Sequence, residues 1–358
     1  MPAARTPWWT LAWPVAAWLI LAVTAKIEMD GLIAAAAVAS LIGSVFAAVH
    51  HAEVVAHRVG EPLGTLVLAV AVTVIEVALI VFIMMGVSGK SRLARDTVFA
   101  AVMIVCNGIV GLCLLAGGMR HHEQGFQVQG ASAALAVLAA LTILTLVVPN
   151  VTTSAPGPVF STPQLVFSGV ISLMLDGSFI FVQTVRHHDY FLPVGGASEQ
   201  AHAEPPSGKT ALVSTALLIV SLVAIVGLAE ILTPIVETAI VHFGAPKAVV
   251  GIVIAALVLL PEGVAAVRAA RANRLQTSLN LALGSALASI GLTIPTVAAV
   301  AIALGRPLEL GLGEKDEVFL ALTLLVGVIT LGTGRTTVLQ GMVHLIIFAA
   351  FLFLAVVP

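Results

Sequence analysis

Runs of about twenty apolar residues recur along this chain. That length is what an α-helix needs to cross a bilayer at 1.5 Å per residue. Only helices and closed barrels satisfy their backbone groups in hydrocarbon. The runs fall near 8–25, 31–49, 64–85, 97–118, 130–150, 163–185, 210–232, 246–267, 277–304, 317–333 and 336–356. They predict an all-α, polytopic membrane protein with about eleven transmembrane helices. The chain is only 9% charged, with a mean hydropathy of +1.12, where soluble domains carry about 25% charge. An ordinary globular enzyme is therefore excluded. Net charge is −2 and there is no basic tail, so nucleic acid is not an expected partner; the lipid bilayer is.

Residues 1–30 begin like a signal peptide, with Arg5 ahead of Trp8, Trp9 and Trp13, but the apolar run reaches Ala25. It is long enough to span, and the tryptophans suit a membrane interface, so it reads as a retained first helix. Cys106 and Cys113, the two cysteines, are seven apart on one predicted helix, roughly 10 Å along its axis. They are too far apart for a disulfide and read as small core residues. Residues 186–209 are polar and divide the chain into halves, 31–185 and 210–358.

The halves look like repeats. Gly60-Glu61-Pro62 precedes the run with Glu76, and Gly244-Ala245-Pro246 precedes the run with Glu262. Basic segments follow each: Lys90, Arg92 and Arg95, then Arg268, Arg271 and Arg274. Next come runs with polar residues near their centres, Asn107 in the first and Asn280, Ser285 and Ser289 in the second. Five helices per half, an odd number, force the two repeats to insert in opposite directions, a common plan in secondary transporters. Alternating the loops puts nine Lys and Arg on the N-terminal side and seven on the other. The positive-inside rule then leans towards a cytoplasmic N-terminus and central linker in a cell (inner) membrane.

Glu76 and Glu262 carry the chemistry. A charged group at membrane depth costs roughly 2.5–3.5 kcal/mol on insertion scales, so such residues mark ion and proton paths. Two facing carboxylates suit a hard cation such as Ca²⁺. Mutual repulsion and low dielectric favour the protonated acids once the cation leaves. Competition between metal and protons for one pair of acids is a sufficient basis for exchange. Pro261 removes a backbone donor beside Glu262 and frees a carbonyl one turn earlier. Thr73 shares a face with Glu76 by i, i+3 spacing, as ligand or as a bond back to its own helix. Asn107 could supply an amide oxygen or bond a neighbouring helix. Ser285 and Ser289 are further oxygen candidates.

Glu53 and His57, one turn apart beside His50 and His51, and Glu230 on a later helix could line entrances or a proton relay; a solvated helix end is the plainer reading. The linker histidines His187, His188 and His202 titrate near neutral pH, and most such clusters are hydrated loops. No Walker loop, nucleophile elbow, His-Glu-x-x-His or Cys-x-x-Cys occurs, so neither ATP, a resident cofactor nor an enzyme is indicated. A passive cation channel is the alternative class.

His57-Arg58-Val59-Gly60-Glu61-Pro62-Leu63-Gly64-Thr65, with Val72-Thr73-Val74-Ile75-Glu76-Val77, resembles the bacterial ChaA type of calcium/proton and sodium/proton antiporter. That type belongs to the cation/proton-exchanger branch of the calcium:cation antiporter superfamily. Leu259-Leu260-Pro261-Glu262-Gly263 and Asn280-Leu281-Ala282-Leu283-Gly284-Ser285 are similar to its second repeat, and Gly332-Thr333-Gly334-Arg335-Thr336 with His344 to its C-terminal end. The resemblance implies eleven helices in two inverted five-helix repeats plus a first helix. It implies that cation and proton share Glu76 and Glu262 by alternating access, with export of Ca²⁺ and with Na⁺ or K⁺ as further cations. Asn107 falls where relatives place an asparagine. Ala288 stands where many eukaryotic relatives carry a glutamine, which removes one ligand.

Overall fold

A computed structural model describes residues 7–25, 27, 30–60, 71, 73–78, 80–81, 92–192, 206–242, 246 and 248–357, without the side chains of 236–237, 239–242 and 248. The expectations for Glu61-Pro62, Lys90, His202 and Gly244-Ala245 lie outside these residues. The described helices are α1 (Trp9–Thr24), α2 (Gly31–Val59), α3 (Leu93–His121), α4 (Val128–Val151), α5 (Thr162–Arg186), α6 (Gly208–His242), α7 (Ala248–Arg271), α8 (Leu275–Leu304), α9 (Glu314–Leu331) and α10 (Val338–Val356). Residues 73–78 form one more helical stretch. The order matches the eleven predicted spans, and the chain is an all-α, multi-pass membrane protein.

Helix ends differ from the hydropathy windows where polar residues continue a helix. The second run fades at residue 49, yet α2 continues to Val59 and stops at Gly60, whose φ of 77° is open to glycine. Its entry is capped by Asp30, which accepts from the Ile33 amide at 2.7 Å. Likewise α6 runs through Pro234 to His242.

Two compact units cut across the sequence halves. One joins Met1–Gly86 to Gln200–Gly244, the other Val87–Glu199 to Ala245–Pro358. In the first, α1, α2 and α6 pack against one another. Pro14 deprives the Thr10 carbonyl of its helical donor, and the buried His51 of α2 donates its Nε2–H to that oxygen at 3.3 Å. The Trp13 ring lies directly on Gly43, where any side chain would collide with it.

In the second unit α3 is buried on almost every side and forms the centre. Its middle, Ile104–Ile109, is a π-turn. Helix α7 packs on α3 and α8, so closely that a Cβ at Gly251 would fall 3.0 Å from the Asp96 backbone. The remaining contacts obey an exchange rule: α8 lies along α5 as α3 lies along α10, α4 meets α5 as α9 meets α10, and α4 meets α9. The loops follow it too. Strand β1 (Gln124–Gly125), between α3 and α4, pairs antiparallel with β2 (Arg335–Thr336), between α9 and α10. Its counterpart is an antiparallel bridge from Val159, between α4 and α5, to Glu309, between α8 and α9. The equivalent helices α5 and α10 each open with a capping box, Ser161 with Gln164 and Thr337 with Gln340.

Candidate functional site

Both glutamates are withdrawn from solvent. Glu76 is 1% exposed in the stretch 73–78, and Thr73, one turn earlier, is buried on the same face, whereas Val74 between them is half exposed. Glu262 is 8% exposed in α7, directly after the buried Pro261. Helix α7 continues through Pro261, which cannot donate to the Leu257 carbonyl one turn back. The neighbour of Glu262, Gly263, approaches the Ile109 side chain of the α3 π-turn within 3.2 Å of where its Cβ would sit. Glu262, Asn107 and the serines of α8 thus lie on three mutually packed helices. Ser289 is buried and Ser285 half-buried.

Asn107 sits inside the π-turn, 0% exposed, at the hub of a side-chain chain. Its Nδ2 donates to Thr323 Oγ1 of α9 at 2.8 Å. Its Oδ1 is 3.1 Å from His344 Nδ1 of α10, and His344 Nε2 is 3.1 Å from Thr330 Oγ1. The Asn107 amide oxygen can only accept, so His344 donates to it through Nδ1, and in the neutral ring Nε2 then accepts the Thr330 hydroxyl. All four residues are buried, and a cleft of about 260 Å³ lined by Cys106, Leu283, Thr323 and His344 adjoins them. The extra residue of a π-turn turns a side chain towards neighbours that a regular helix would not reach.

Glu53 and His57 are exposed on α2, and Glu230 is exposed on α6. Cys106 and Cys113 are buried and free. Asn280 donates to the Phe191 carbonyl at 2.7 Å at the foot of α8. Among the described residues no three His, Cys, Asp or Glu side chains group to hold a metal.

Sequence reasoning passed over Thr323, Thr330 and Asp176. The last is a carboxyl within an apolar run, the signal that singled out Glu76 and Glu262. The threonines gave none, because hydroxyls are common in membrane helices and the network that uses them reaches Asn107, 216 positions before Thr323.

Comparison with known proteins settles the kind of molecule. The family model described as sodium/calcium exchanger protein matches the chain twice, over residues 31–185 and 213–357. The chain belongs to this family. Within it, the chain is 52% identical over 361 residues to y4hA of Sinorhizobium fredii, a candidate ionic transporter by name, covering 99% of this chain and 98% of that protein. It is 35% identical over 349 residues to the sodium-potassium/proton antiporter ChaA of Escherichia coli, covering 96% and 94%. Among solved structures, native YfkE superposes with a TM-score of 0.74 at 16% identity, covering 98% of this chain and 100% of that one. The H⁺/Ca²⁺ exchanger CAX gives 0.72 at 14% identity, covering 96% and 87%. The fold is thus that of a polytopic cation exchanger, and membership of the family makes this chain a membrane antiporter.

Proposed function

We propose that this exchanger moves Ca²⁺, with Na⁺ or K⁺ as further cations, against H⁺ by alternating access, and that Glu76 and Glu262 serve cation and proton in turn. The reading rests on one observation: among the described residues, each segment matched by the family carries one buried glutamate, in an apolar helix beside a buried hydroxyl or proline. Charge is costly at such a depth, and a metal ion or a proton can each offset it. Thr73, Ser285 and Ser289 offer oxygens, and the Leu257 carbonyl, left without its helical donor by Pro261, offers another. Asn107 is read as a member of the binding region whose amide also holds α9 and α10.

The exchange rule among α3–α5 and α8–α10, with the paired loop contacts, supports two oppositely inserted five-helix repeats after a first helix. We place the chain in the cell membrane with its N-terminus and linker in the cytoplasm. Transport in proteoliposomes under an imposed pH gradient, one cation at a time, tests the proposal. Cation uptake matched by counterflow of protons is expected. Glu76→Gln and Glu262→Gln should each abolish it, a loss of at least a hundredfold if each acid is obligatory (about 2.7 kcal/mol of lost stabilisation). Full exchange by either variant overturns the shared-acid mechanism, and flux that moves no protons indicates a channel instead.

A further inference from the structure

A third carboxyl lies at membrane depth. Helix α5 is amphipathic in the membrane sense: Val166, Phe167, Val170, Leu173 and Met174 face outward, while Ser168, Ser172 and Asp176 form a buried stripe at i, i+4 and i+8. Asp176 is 3% exposed. It makes no hydrogen bond or ion pair among the described residues. The helices packed against α5, namely α4 and α8, contain no titratable side chain. On α5 itself the next charged group is Arg186, ten residues on and roughly 15 Å along the axis. The turn that follows, His188–Phe191, carries His188, Asp189 and Tyr190.

The fold nevertheless makes room for this acid. Gly291 of α8 lies against it. A Cβ at 291 would fall 2.5 Å from the Asp176 Cβ and 3.1 Å from its Oδ1. Pro295, four residues on and itself 3.3 Å from the corresponding position of Gly169, removes the donor that would pair with the Gly291 carbonyl. The residue that cradles the carboxyl therefore also carries a carbonyl released from its helix, an acceptor for an acid O–H. Access is short. Phe179, three residues from Asp176, lines a cleft of about 230 Å³ with Gln183, Gly130, Asn280 and Gly284.

We propose that Asp176, seated on Gly291, is a third protonatable carboxyl of this antiporter, separate from the two glutamates. With no cation among the described residues facing it, a bare carboxylate there is an uncompensated charge, and binding one proton at a carboxyl oxygen removes it. Exchange would then depend on an acid that carries no metal. The inference rests on the antiport reading, and the test separates the two. Infrared titration of the purified protein should show a protonated-carboxyl band that Asp176→Asn lacks and Asp176→Glu retains. In proteoliposomes loaded with Na⁺ or Ca²⁺, Asp176→Asn should flatten the pH profile of exchange, with at least a tenfold loss at its optimum. Gly291→Ala, which pushes the carboxyl from its seat, should shift the same profile. A wild-type band and profile in Asp176→Asn overturn the proposal. Absence of exchange by the wild type would instead refute the antiport reading, and the infrared band would still decide the fate of Asp176.

Discussion

At His344 a single ring joins three helices. Its two nitrogens and the Asn107 amide form a connected series of bonds. Removing one member leaves buried partners unsatisfied, at about 1–3 kcal/mol for each orphaned group. His344→Ala should therefore lower the apparent melting temperature in detergent, and Asn107→Ala should cost at least as much. The double variant should cost less than the sum of the two, because they share one bond. Fluorescence-detected thermal unfolding gives these numbers, and strict additivity would show that the bond contributes nothing. At this scale the sequence was readable where charge met hydrocarbon. Glu76 and Glu262 stood out for that reason, and Asp176 was equally visible had its run been read for its acid as well as its length. Asn107 stood out as polar, but its role depended on a histidine 237 positions away, which no local pattern discloses.

Among the elements, apolar runs of spanning length predicted the helices because the bilayer fixes that length. Hydropathy marks only the part within hydrocarbon, so it missed the tail of α2 and the ends of α6. The π-turn of α3 was also invisible, since one extra residue in a turn leaves composition unchanged. The capping boxes at Ser161 and Thr337 were present in the sequence as Ser/Thr-x-x-Gln and fix where α5 and α10 begin. Ser161→Ala and Thr337→Ala should each destabilise the protein by about 1 kcal/mol. The two sites head equivalent helices, so comparable shifts of the melting midpoint are expected in the same thermal assay. No shift from either would mean that the caps do not hold these helix ends.

For the whole molecule, the matched order of glycine-proline, glutamate, basic loop and polar helix pointed to repeats, and the family model matches two segments, 31–185 and 213–357. What no such order could convey is how the halves interleave, because packing partners are chosen by shape across the chain. The interleaving makes a topological prediction. Loops joined by strand pairing share a membrane face, so cysteines at Glu123 and Thr333 should label from one side. Cysteines at Ser154 and Arg306 should label from the other. The native Cys106 and Cys113, being buried, leave the assay a low background. Labelling of all four from one face would refute opposite insertion. Each strand contact, β1 with β2 and Val159 with Glu309, hooks a loop of the earlier half to a loop of the later one. The polypeptide is thus knitted across its own midpoint, so its earlier and later halves could not part without first unpicking both contacts.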